Sequence, residues 1–222
     1  MHGAITGQME IACINPRFLP SSPLDCKIVN VLSPTLFWVQ LIERKEAFEN
    51  LLYRLQCKMT LRKSRHLRHQ IDHVTLGELV AIQEESRWQR GVVLAIHGDG
   101  SISVALRDWG RVIRKSLWEV YHLEECFRYL EWQAIPCALA YTGPNPLTPI
   151  WPKRTKDITR LLAEGQRGRV TIIGTKKEEA ALVKLELKNT HSREVRNFKD
   201  LLITIGCSRH TENILEGVTP CL

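Results

Sequence analysis

The chain has 222 residues, 44% of them hydrophobic and 25% charged, enough for one or two domains with a sizeable core. It contains no long uncharged apolar run, which excludes a membrane-spanning helix, and no charged start followed by an apolar core, so no signal peptide is expected. The net charge of +7 suits an anionic partner such as nucleic acid, although a modest excess of Lys and Arg is common on soluble surfaces. The seven cysteines are odd in number and never spaced Cys-x-x-Cys. They read as buried, reduced thiols of a cytosolic protein.

Residues 1–22 carry Pro16, Pro20 and Ser21-Ser22 without lasting periodicity and read as an arm or linker. Lys27–Leu32 and Leu36–Ile42 are β-rich and joined by Ser33-Pro34-Thr35, which predicts a hairpin with Pro34 in its turn. From Lys45 to about Leu67 a helix is predicted. Phe48, Leu51, Leu52, Leu55 and Met59 form one apolar stripe. Arg62, Lys63, Arg65, His66, Arg68 and His69 follow it, as a solvated helix end in preference to a phosphate-binding patch, because no aromatic interleaves to stack a base. His66, His69 and His73 have no further ligand at suitable spacing except Asp72, so no metal site is expected.

The stretch from Leu76 to Leu123 is the densest in β signals. Trp88-Gln89-Arg90-Gly91 leads into Val92–Ile96, His97-Gly98-Asp99-Gly100 makes a tight turn, and Ser101–Leu106 alternates with Ile102, Val104 and Leu106 on one face. Arg107-Asp108-Trp109-Gly110-Arg111 makes a second turn, and Val112-Ile113 start another strand. These are short antiparallel strands of a small barrel or half-open sheet. Leu117–Glu125 and the following Cys126–Leu130 read as a connector. A strand is expected over Trp132–Ala140, then a loop around Gly143-Pro144-Asn145-Pro146, Pro149 and Pro152. Thr155 is the expected cap of a short helix bearing Ile158, Leu161 and Leu162 and stopped at Gly165. Arg169–Gly174 is a strand, Lys176–Glu179 a charged turn, and Leu185 and Leu187 belong to a half-exposed strand. Ser192 is the expected cap of a last helix with Val195, Phe198, Leu201, Leu202 and Ile205 inward and Gly206 at its end. The fold class is mainly β with helices (α+β). No internal repeat or low-complexity segment is present.

Gly77-Glu78, Trp88-Gln89-Arg90-Gly91 and Asp108-Trp109-Gly110-Arg111 resemble, in order and spacing, the Gly-Glu, Trp-Tyr-Arg-Ala and Asp-Tyr-Gly-Asn signatures of Tudor domains. Trp132-Gln133-Ala134-Ile135-Pro136-Cys137-Ala138-Leu139 resembles the segment that follows the core in extended Tudor domains. The resemblance implies a Tudor barrel, residues 74–124, inserted in a split OB or staphylococcal-nuclease-like subdomain with halves 23–70 and 131–215. It also implies a protein-interaction module that holds arginine-rich N-terminal tails of PIWI-class Argonaute proteins. Such a module would act as a scaffold in piRNA biogenesis, in cytoplasmic, perinuclear germline granules.

In that family a methylated arginine enters a cage of aromatic rings, held by stacking and cation–π attraction, and an Asn hydrogen-bonds the guanidinium. Here the Tyr of Asp-Tyr-Gly-Asn is Trp109, the Asn is Arg111, and the Tyr of Trp-Tyr-Arg-Ala is Gln89. The ring before the Asp is Leu106, and the ring preceding Trp-Tyr-Arg-Ala is Gln83 or Glu84. At most one of four rings remains. Glu84, Glu85 and Gln89 offer acceptors that suit an unmodified guanidinium; the other reading of Glu84 and Glu85 is a solvated turn. The expected peptide-binding residues are therefore Glu84, Glu85, Gln89, Leu106, Asp108, Trp109 and Arg111, with binding independent of methylation. Two alternatives stand beside this one: a nucleic-acid-binding OB-type module, and an inert assembly or dimerisation domain. No nucleophile, phosphate-loop or metalloprotease motif is present. The outer hairpin offers only Asp25 and Glu43, at opposite ends, where a nuclease would need clustered carboxylates. No enzyme activity, cofactor or metal is expected, and RNA binding is expected to be weak and blind to sequence.

Overall fold

Apolar side chains alternating with polar ones make the first hairpin, β1 (Leu24–Ser33) and β2 (Leu36–Leu41). The computed structural model describes residues 10–64, 74–145, 150–176, 180–188 and 195–212. The chain forms two compact units: residues 14–45 with 133–222, and residues 1–13 with 46–132. A long helix, α1 (Lys45–Ser64), follows the hairpin. Five strands come next: β3 (Leu79–Glu84), β4 (Arg87–Ile96), β5 (Ser101–Leu106), β6 (Arg111–Ser116) and β7 (Val120–His122). Then come β8 (Ile135–Leu139), β9 (Thr142–Gly143), α2 (Lys153–Ala163), β10 (Arg167–Lys176), β11 (Ala180–Lys188), β12 (Val195–Asn197), α3 (Phe198–Thr204) and β13 (Arg209–His210).

The unit of residues 14–45 and 133–222 contains a closed ring of strands. Its strands run β10-β1-β2-β8-β11, and β10 also pairs with β11. The β8–β11 contact is parallel, Leu182 facing Ala138, whereas the other ring contacts are antiparallel. Five strands closed this way, with a helix between the third and fourth, have the topology of an OB barrel. Its interior holds Cys26, Ile28, Phe37, Val39, Val183 and Leu185, each at most 2% exposed. The end of α2 is tied to β1. Gly165, at φ +81°, donates its N–H to Ile28 O at 2.8 Å, and the Glu164 carboxylate accepts from Val31 N at 3.0 Å.

Two expected caps differ. Thr155 lies inside α2, 6% exposed, its hydroxyl 3.4 Å from Cys207 O, and Pro152 precedes the helix instead. Asn197 caps α3, its side-chain oxygen accepting from Asp200 N, while Val195 belongs to β12 and Ile205 is exposed. Ser192 lies outside the described residues, as do His66, His69 and His73. The hairpin register, Cys26 facing Leu41, also brings Asp25 and Glu43 to the same open end instead of opposite ends. A hairpin folds its start back onto its finish, which spacing along the chain conceals.

The unit of residues 1–13 and 46–132 contains a five-strand barrel of order β6-β5-β4-β3-β7. Val80, Ile82, Val93, Ile102, Val104 and Leu106 fill its inside. Leu79, Ala81, Trp88 and Val92 face the other way and pack with Leu51, Leu55 and Met59 of α1. The strands β3 and β4 are thus covered on both faces, which is why they read as apolar runs without alternation. α1 therefore belongs with this barrel and not with the outer subdomain, where residues 23–70 were expected to lie together. Ile11 also joins this core, and Cys13 bridges Trp132, so the described part of the first segment is packed and not a free linker. The expected connector Leu117–Glu125 contains β7, which pairs with β3. Asp99 and Gly100 close the β4–β5 turn, and Ser101 and Arg114 hold the Asp99 carboxyl down to about 2.

No helix among the described residues is long and apolar enough to cross a membrane. Cys26, Cys137 and Cys207 are buried, whereas Cys13, Cys57 and Cys126 are exposed. Burial, with Asp25 adding, pushes the Cys26 thiol up to about 12, and burial also raises Cys137. The thiolate is the reactive form. Native protein at pH 8 should therefore lose Cys13, Cys57 and Cys126 rapidly to an alkylating reagent, while Cys26 and Cys137 react only after denaturation. Peptide mass mapping reads this directly, and rapid native labelling of Cys26 would show that the ring is open.

Candidate functional site

The signature residues that match the Tudor pattern are the ones that hold the barrel together. Arg90 is 0% exposed. Its Nε and Nη2 donate to the two carboxylate oxygens of Asp108 at 2.9 and 2.8 Å. Its Nη1 donates to Phe127 O and Leu130 O, and Nη2 also reaches Glu131 O at 3.1 Å. All five guanidinium donors are used, and the Arg90 Cζ lies 4.9 Å from the centre of the Trp132 ring. The two signatures thus meet as a forked ion pair, β4 to the β5–β6 turn, that also pins the chain leaving the barrel. At the other end Gly77 takes φ +80°, and the buried Glu78 carboxylate accepts from Thr75 N at 3.0 Å and stands 3.5 Å from His122 Nδ1.

Gly91, where the family pattern has Ala, has a local cause. A Cβ there would collide with Val104 Cγ1 on the neighbouring strand. The branched valine and the missing methyl fit each other across β4 and β5.

The positions that depart from the pattern gather around Trp109. Its indole N–H donates to Gln89 Oε1 at 2.8 Å, and the Phe48 ring of α1 stands 5.8 Å away, tilted by 54°. Trp109 is half-buried, Gln89 is 4% exposed and Phe48 5%. Glu84, at the end of β3, accepts from Arg111 Nη2 at 2.8 Å, and the Arg111 Nε is buried without a hydrogen-bond partner. Glu85 and Ser86 form the β3–β4 turn, both with positive φ, 46° and 69°, and Glu85 is exposed.

The expected residues therefore fall into three groups. Trp109, Gln89, Glu84 and Arg111 carry the altered positions. Leu106 and Asp108 are each 0% exposed, one in the barrel core and the other against Arg90, so neither presents a side chain to a ligand. Glu85 is a turn residue. Gln89 does not offer its oxygen freely, because Trp109 already uses it. Phe48 was not recognised as part of this place: it sits on the helix stripe with Leu51 and Leu55, and a stripe of that kind signals packing only. Among the described residues no group of three His, Cys, Asp or Glu is placed to hold a metal ion. Asp25 is paired with Lys188 at 2.6 Å.

Residues 19–141 match the family model described as Tudor domain. Human RING finger protein 17 is 25% identical over 181 residues, 77% of this chain and 10% of that protein. The Tudor and KH domain-containing protein homolog of Drosophila melanogaster is 26% identical over 213 residues, 83% of this chain and 36% of that protein. The chain thus spans between 10% and 36% of these two relatives. Extended Tudor domain TD3 of mouse TDRD1, solved with a MILI peptide containing dimethylarginine, superposes with a TM-score of 0.75 at 16% identity, covering 91% of this chain and 99% of that one. The extended Tudor domain of Drosophila melanogaster Papi, a point variant solved with an unmethylated Piwi N-terminal peptide, gives 0.74 at 23% identity, covering 85% and 99%.

Proposed function

The chain belongs to the Tudor domain family, and on that premise we propose that it binds arginine-containing N-terminal tails of PIWI-class Argonaute proteins without requiring arginine methylation. The observation that carries this reading is the composition of the Trp109 site. A single half-buried indole, clamped by Gln89 and backed by Phe48, stands beside the Glu84–Arg111 ion pair. Methyl groups on a guanidinium gain by contact with rings and block bidentate hydrogen bonding. With one ring where the family cage has four, the gain is small and the lost donor counts. An unmodified guanidinium stacks on Trp109 and shares the Glu84 carboxylate with Arg111. The structural neighbours hold peptides of both kinds, dimethylated for TDRD1 and unmethylated for Papi. The domain is a binding module and not an enzyme, and it serves a larger scaffold protein of the piRNA pathway in germline granules.

Calorimetry with one arginine-containing PIWI-tail peptide, unmodified and symmetrically dimethylated, tests the proposal. The unmodified form should bind as well or better. Trp109→Ala should weaken both forms by about 0.5–2 kcal/mol, the worth of one well-placed ring. Glu84→Lys should weaken the unmodified form, because it removes the carboxylate and leaves two cations facing the ligand. Tenfold tighter binding of the dimethylated peptide, about 1.4 kcal/mol, would mean that a working cage stands elsewhere on the barrel.

A further inference from the structure

The charge of the chain is not shared between its two units. The ring unit, residues 14–45 and 133–222, holds 18 Lys and Arg against 11 Asp and Glu; the barrel unit, residues 1–13 and 46–132, holds 13 against 13. The whole net charge of +7 therefore belongs to the ring unit.

Part of that excess is organised on the outer face of β1, β10 and β11. Cys26, Ile28, Val170 and Leu185 are buried, so the alternate residues of the same strands point outward. Lys27 stands directly opposite Arg167, and Lys188 lies one step beyond the Gly168–Leu187 pair, beside Arg167. The next row is Asp25, Arg169 and Glu186, and the one after it sets Lys184 opposite Thr171. Both carboxylates are taken, Asp25 by Lys188 at 2.6 Å and Glu186 by Arg169 at 2.9 Å. Lys27, Arg167 and Lys184 have no carboxylate partner among the described residues.

Like charges directly opposite each other across two strands destabilise a sheet. A face that keeps such a pair with no neutralising carboxylate among the described residues is suited to a ligand that brings the opposite charge. Lys27, Arg167 and Lys188 stand side by side at about 4.8 Å between strands, and Arg169 follows Arg167 at about 6.7 Å along β10, an array that matches a chain of phosphates better than a single anion. We propose that this face binds the phosphate backbone of single-stranded nucleic acid without reading its sequence. The face is the outside of a closed ring, so a flexible strand can follow it where a stiff duplex would touch it at few points. None of the named outward residues is aromatic, so stacking adds nothing, and affinity rests on counterion release alone.

The test is fluorescence anisotropy of the full chain with a labelled oligouridine of about 15 nucleotides, a length near the upper end of single-strand sites on such barrels, across 50–200 mM salt. Binding should be micromolar at the lowest salt and fall steeply as salt rises. The double variant Lys27→Gln/Arg167→Gln should bind about tenfold more weakly, and its salt slope should shrink by about 1.4, two contacts at about 0.7 each. Because the variant removes a like-charge pair, its melting temperature should not fall. Trp109→Ala should leave oligouridine binding unchanged, which keeps this surface separate from the proposed peptide site: either can fail while the other holds. Unchanged affinity and slope in the folded double variant would overturn the proposal. So would equal competition, charge for charge, by polyglutamate or by phosphatidylserine vesicles, which would assign the face to an acidic protein or to a lipid surface.

Discussion

Arg90→Ala is expected to destabilise the barrel unit by about 3–5 kcal/mol, the cost of breaking one side of a buried ion pair. The substitution leaves the Asp108 carboxylate at 0% exposure without its forked partner, and it strands the carbonyls of Phe127, Leu130 and Glu131. It also removes the cation over the Trp132 ring. Arg90→Lys should rescue little, because an ammonium cannot reproduce the planar fork. Arg114→Ala is the control. Arg114 pairs with Asp99 at 2.7 Å, but the two side chains are 58% and 62% exposed, and such solvent-screened pairs contribute little to stability. Urea unfolding followed by tryptophan fluorescence compares the three variants. A shift of under 1 kcal/mol for Arg90→Ala would mean that the pair is dispensable and that the hydrophobic clusters alone hold the barrel.

Removal of residues 1–70 should have a larger effect still, the loss of any cooperative melt. The deletion takes β1 and β2, two of the five strands that close the ring, and leaves edges of β8 and β10 unpaired. It also takes α1, and with it Leu51, Leu55 and Met59, from the outer face of β3 and β4. Trp88, at 3% exposure, would lose that cover together with the hydrogen bond from its backbone N–H to the Gln56 side-chain oxygen. The fragment 71–222 should be insoluble or melt without a transition. A sharp calorimetric peak from it would show that neither unit needs the first segment.

The sequence was most informative where local chemistry and burial agree. The β4–β5 turn was legible because Asp99-Gly100 announces it, and the stripe Leu51, Leu55 and Met59 announced α1. The β3–β4 turn was legible only as one of two readings of Glu84 and Glu85, because Glu85 and Ser86 carry positive φ with no Gly or Asn to signal it. Such a conformation costs roughly 1–2 kcal/mol per residue, and the β3–β4 ladder, closed by the pair Glu84–Arg87, holds it. The assignment of α1 to the outer subdomain failed for a related reason. A helix stripe shows that one face is buried but not against what, and chain order put the helix next to β2. At the site, the family signatures were found but their roles were not separable by pattern. Asp108 and Trp109 are adjacent in sequence, yet one is locked beneath Arg90 and the other faces outward over Gln89. Only the direction of each side chain distinguishes support from surface.

The ring also sets a timetable for synthesis. Its first hairpin leaves the ribosome early, but β2 finds its partner β8 only after the whole barrel segment has been translated, and β1 finds β10 later still. At about 5–20 residues per second the newborn hairpin waits on the order of ten seconds with both outer edges bare. Bare edges recruit other nascent chains. The breaks in register at Ile28–Asn30 and Val31–Ser33 interrupt the edge of β1 during that interval, and Lys27 places a charge on it. The barrel segment, by contrast, has its helix and five strands in one uninterrupted stretch and can complete its own pairing while it emerges. By the time β8 is made, the barrel segment between the two halves of the ring has therefore had every one of its own strands to pair with.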